Sequence, residues 1–153
     1  VWRILSKAQN RSGHFSAAQK TSLLLLEQKQ EVRWQADAYL DLAESRLGLR
    51  LYPEALDAIA KGLAINAPGP HVAGLHIVGG EIALLQGQWL KALEEFRVAI
   101  PTVPDDPLVQ PRALHGVYLA AKNYGNKSLA DKYQGKLASS FPNWKPTLKV
   151  KPE

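Results

Sequence analysis

Apolar residues in this chain return at spacings of three and four, broken at regular points by glycine and proline. Tyr39, Leu42, Ala43, Arg46 and Leu47 follow this spacing, which predicts a helix with one buried face. A break follows over residues 48–52. Pro53 then stands where a first helical turn tolerates a missing N–H, and Ala55, Leu56, Ile59, Leu63 and Ile65 form the next apolar face. Residues 66–70, with two prolines and a glycine, end that helix. The pattern resumes with Ala83, Leu84 and Leu85, a turn at Gly87, and a second face of Trp89, Ala92, Leu93, Phe96 and Ile100. Residues 101–107 terminate it, with Asp105 or Asp106 expected to cap the following helix. A last pair is expected over about 108–122 and 126–140, closed by Phe141 and Pro142.

A step of about 37 residues superimposes these stretches. It aligns Phe15 with Tyr52 and Trp89, Ala18 with Ala55, Ala92 and Leu129, and Leu26 with Leu63, Ile100 and Leu137. The chain therefore reads as all-α, four helix pairs in units of about 1–35, 36–70, 71–107 and 108–143, followed by a tail at 144–153. Ala18, Ala55 and Ala92 mark positions where two helix backbones approach, since a larger side chain there would force the pair apart. The span from Trp2 to Leu26 equals that from Tyr39 to Leu63, so length differences are expected between pairs, not inside them.

These residues resemble the tetratricopeptide repeats, whose pattern is carried best by Tyr39, Leu42, Ala43, Tyr52, Ala55, Ile59 and Leu63. The third unit departs from it at His76 and Gly79, and the fourth at Leu129 and Lys136. The resemblance implies a right-handed α-α superhelix, a solenoid in which each pair is covered by its neighbours. It also implies a non-catalytic protein-protein interaction scaffold that binds a peptide or helix on a concave groove lined by the first helix of each unit. The candidate residues are Arg3, Lys7 and Arg11 in the first unit and Asp37, Leu40, Asp41, Glu44 and Leu47 in the second. Ile77, Glu81 and Leu84 stand for the third, and Leu114, His115, Tyr118 and Lys122 for the fourth. Some relatives hold a terminal carboxylate with basic residues on these helices; Asp41 and Glu44 would repel one.

Charge adds polarity along the chain. The net charge is +5, with six basic and two acidic residues in 1–35, three and five in 36–70, two and five in 71–110, and eight and two in 111–153. Basic ends and an acidic middle could steer an extended protein partner. The basic groups form no single stripe, and Lys145, Lys149 and Lys151 lack interleaved stacking aromatics, which argues against nucleic acid as the partner. The longest purely apolar run is Leu23 to Leu26, too short for a membrane span, so a soluble chain is expected.

Reactive chemistry finds no foothold. With no Cys, disulfides and thiol nucleophiles are excluded. His71 and His76 are five residues apart and lie on different sides of a helix, so no metal and no other cofactor is expected. Glu94 and Glu95, like Asp105 and Asp106, are adjacent and cannot face one substrate from a regular helix. The chain is accordingly read as not an enzyme. The alternative is a regulatory or sensor segment of a larger protein that binds a small molecule or an adjoining domain. Self-association through the ends is a further expectation, from Trp2 and Trp144 near the termini. Val1 and Trp2 enter the first helix at once, from which continuation upstream is expected, and Trp144 is expected to fold back with Phe141 over the last pair.

Overall fold

The computed structural model describes residues 1–146. Among them are eight α-helices and no strand. The helices are α1 (Trp2–Arg11), α2 (Phe15–Glu27), α3 (Val32–Gly48), α4 (Tyr52–Ala64), α5 (Pro70–Leu85), α6 (Trp89–Ala99), α7 (Gln110–Tyr124) and α8 (Lys127–Ser140), with a 3-10 turn at Ile100–Thr102. No helix is long and apolar enough to cross a membrane among the described residues. The chain divides into two compact units, Val1–Val78 and Gly79–Glu153, with the division inside α5.

One turn joins the helices of every pair. Gly13, Arg50, Gly87 and Gly125 all have positive φ, at 79°, 59°, 72° and 95°. The amide that follows each of them reaches back over five residues: His14 to Gln9, Leu51 to Arg46, Gln88 to Ala83 and Asn126 to Ala121, each N–H donating to a carbonyl oxygen at 2.8 Å. This is the left-handed helix stop that satisfies the last carbonyls of the first helix. It fixes Phe15, Tyr52 and Trp89 as the opening residues of α2, α4 and α6. In the last pair the turn and the helix start fall one residue later, at Gly125 and Lys127. Ala130, not Leu129, therefore takes the buried position held by Ala18, Ala55 and Ala92, which corrects the expected alignment. Side-chain accommodation explains the slip: Leu129 in that slot would overfill a site that elsewhere admits only a methyl group.

In the first unit α1 packs on α2, α2 on α3 and α3 on α4, and α1 also touches α3. Leu40 of α3 sits against Gly74 of α5, where a Cβ would meet the leucine methyl carbon at 2.6 Å. In the second unit the Phe96 ring, fully buried, is wedged between Gly80 of α5 and Gly116 of α7. Both glycines are needed for close approach, because the ring occupies the space a Cβ would take. Asp106 does not cap α7: its N-cap is Val109, without a side-chain bond. The Asp106 carboxylate instead accepts from the Leu108 and Val109 amides at 2.9 and 3.2 Å and shapes the turn ahead of that helix.

Candidate functional site

In the first unit the predicted residues on α1 and α3 meet each other. Ser6 Oγ donates to Asp41 Oδ2 at 2.7 Å, and Lys7 Nζ lies 3.0 Å from Asp41 Oδ1 and 3.1 Å from the Asp37 carboxylate. Asn10 Nδ2 donates to the Asp41 carbonyl at 2.9 Å. Burial alone would lower the Lys7 pKa, but the Asp41 and Asp37 carboxylates outweigh it and hold the ammonium above its ordinary value. For Asp41 burial dominates: its pKa is raised, and Lys7 and Ser6 offset only part of the cost of ionising a nearly covered carboxyl. Above this seam the Arg3 guanidinium lies 3.4 Å from the centroid of the Trp34 ring, and Arg33 lies 4.1 Å from the same ring.

In the second unit the residues on α7 form a ladder. His115, Tyr118 and Lys122 lie three and four residues apart and so share one side of the helix. The His115 and Tyr118 rings are 5.9 Å apart, and Lys122 Nζ stands 5.7 Å from the Tyr118 centroid. Trp144 completes the series from the non-helical segment after α8, with its ring 5.3 Å from His115 at 57°. The indole leans over a small cleft between Glu81 and Leu84 on one side and Arg112 and Leu119 on the other. About 10 Å³ is left there, no more than about one water molecule needs. Arg112 pairs with the buried Glu81 beneath it. Burial lowers the His115 pKa, so the neutral imidazole is favoured in this contact.

No family model matches the chain, and neither a curated protein nor a solved structure is significantly similar to it. The geometry of these two faces therefore stands by itself. Among the described residues no group of three or more His, Cys, Asp or Glu side chains could hold a metal ion.

Several of the predicted residues are not on a surface. Ile77, Leu84 and Leu114 are 0, 1 and 4% exposed and belong to the core. For α5 the reason is composition: Pro70–Leu85 carries one charge, Glu81, and a helix apolar all round is buried all round. Leu40, half-buried, fills the gap above Gly74. Arg3, Lys7, Asp37, Asp41 and Glu81 are taken up by neighbouring helices. Glu44 and Leu47 are half-buried on α3, and Arg11 and Lys122 are exposed. Lys149 and Lys151 lie outside the described residues. Trp34 and Arg112 were not legible in the sequence because their partners, Arg3 and Glu81, lie 31 residues away, and Arg33, though adjacent to Trp34, carried no spacing signal. Trp144, expected to cover the last pair together with Phe141, packs on α7 at His115.

A second cleft, of about 230 Å³, lies in the first unit between α2, α3 and α4. Leu23, Leu26, Tyr39 and Leu42 form its apolar lining, and Glu27, Arg46, Asp57 and Lys61 bring charges of both signs.

Proposed function

We propose that this chain is a non-catalytic protein-interaction scaffold of the tetratricopeptide kind, and that it binds an extended peptide segment along the first-helix side of its pairs. One observation carries the reading: the chain's own non-helical segment lies on α7, with Trp144 against His115 and little space left beneath it. A face that accepts an aromatic side chain from an extended segment of the same chain has the chemistry to accept one from another chain. His115 and Tyr118 supply ring surface, and the exposed Lys122 would favour an acidic group beside the anchor. Right-handed superhelical stacking of the pairs belongs to the same reading; an experimental structure with left-handed stacking would overturn that part.

The test uses the Trp144→Ala protein, in which the site is vacated, and a six-residue peptide copying residues 141–146. Isotope-edited NMR should show shifts confined to α7 around His115 and Tyr118, and these should vanish when Tyr118→Ala is added. Shifts scattered over the chain, or none at millimolar peptide, would refute the assignment. The 230 Å³ cleft favours a second reading, a small-molecule sensor segment. Its volume lies below the roughly 300 to 1,000 Å³ usual for small-molecule sites, which is why the peptide reading is preferred.

A further inference from the structure

The first unit ends in an exposed helix face. Ile4, Leu5, Ala8 and Arg11 of α1, and Val1 at its N-cap, are all exposed. At 100° per residue they fall within one third of the helix circumference, opposite the buried Ser6. Ile4 is 75% exposed. The face continues onto α2. Thr21 Oγ1 donates to Gln9 at 2.8 Å, which sets the register of the two antiparallel helices. Further along the same antiparallel pair, Leu5 of α1 and Leu24 of α2 are exposed by 44 and 46%. Exposed apolar residues gathered on one side of a helix pair mark a contact surface.

Charge selects what covers it. From residue 1 to residue 27 the basic groups are Arg3, Lys7, Arg11 and Lys20, against the single acid Glu27. Arg3 and Lys7 are engaged on the opposite flank of α1, where Lys7 holds the acidic side chains Asp37 and Asp41 of α3. Arg11 and Lys20 are exposed and make no ion pair among the described residues. In the second unit the same device recurs, with Glu81 of α5 paired to Arg112 of α7. Neighbouring first helices in both units are thus joined by an acid on one and a base on the other.

We infer that the α1–α2 face docks an amphipathic helix of a partner protein that carries leucine-type residues on one side and acidic residues beside them. A second copy of this chain fits poorly. Symmetric pairing would gather Arg11 and Lys20 of both copies in one contact with Glu27 as the only acid of the helix pair, and the exposed side of α8 presents Lys132 and Lys136 beside a Lys127 already paired to Asp131. The proposal is independent of the α7 reading, since the two faces share no residue.

The probes are two synthetic 20-residue amphipathic helices, identical except for Glu or Lys at the positions flanking a leucine stripe, followed by fluorescence anisotropy with the whole chain. The acidic peptide should bind at least tenfold more tightly than the lysine peptide. Ile4→Asp and, separately, Ala8→Glu should each lower that affinity at least tenfold with unchanged circular dichroism, and Arg11→Glu should abolish the preference for the acidic peptide. Trp144→Ala should leave it unaltered, which separates this site from the one on α7. Equal binding of the two peptides, or indifference to both Ile4→Asp and Ala8→Glu, would overturn the inference. So would sedimentation showing a dimer of the chain that Ile4→Asp dissociates, because the occupant would then be a second copy.

Discussion

The Asp41 carboxyl is nearly covered, touched by Ser6 and Lys7, and still titrates above its ordinary range because burial outweighs those partners. A folded pKa raised above the unfolded one gives stability that is fully present below the unfolded carboxylate range and is lost as pH rises through the folded value. Lys7, also raised, contributes stability below the ordinary lysine value and loses it only in the alkaline range. Removing one partner of a buried pair costs about 3 to 5 kcal/mol. Because the Lys7 side chain is 36% exposed, the expected loss for Lys7→Met is reduced by solvent screening to about 1 to 3 kcal/mol at pH 7. The loss should shrink as pH falls and Asp41 takes up a proton; urea midpoints at pH 7 and pH 4 check this. His115 has the opposite sign. Its lowered pKa means that stability is present above the ordinary histidine value and is lost as pH falls through the folded value. His115→Gln should therefore flatten the decline in melting temperature between pH 7 and pH 5.

At the level of elements, the four turns and the glycine-seated rings set how helices meet. Arg50 occupies the left-handed position that glycine holds in the other three turns. A side chain there costs about 1 to 2 kcal/mol, part of which returns as the greater unfolded-state freedom of glycine. Arg50→Gly should accordingly stabilise the chain by about 0.5 to 1 kcal/mol, and Gly87→Ala should destabilise it by a similar amount, both measured by chemical denaturation. For Gly116→Ala two effects compete. Alanine gains about 1 kcal/mol in helix propensity, but its methyl would enter the Phe96 ring, which Gly80 blocks from retreating on the other side. Overpacking of this kind costs about 1 to 3 kcal/mol or more, so a net loss is expected, read from the shift in denaturation midpoint.

For the whole molecule, burial is uneven along the chain. Ser6 is the only buried residue of α1 and Ala130 of α8, whereas α7 buries residues in every turn up to Ala121 and α5 almost completely. Local opening follows the apolar contacts that must be broken. Hydrogen exchange should therefore be fastest in α1 and α8 and slowest in α5. Uniform protection across the helices would contradict this ordering.

The local pattern was sufficient for the helices, because a period of three to four and a left-handed stop are properties of short stretches of chain. Even the stop at Gly13, Arg50 and Gly87 repeats at the same 37-residue interval as Phe15, Tyr52 and Trp89. The candidate face was legible only in part: His115, Tyr118 and Lys122 come together on α7, while Ile77, Leu84 and Leu114 lie in the core. Spacing along one helix tells which side chains share a side but not which neighbour covers that side. Only the tertiary structure decided that Lys7 would meet Asp41, that Arg3 would lie on Trp34, and that Trp144 would rest on His115, because each contact joins residues about thirty apart whose approach depends on the packing of whole helices.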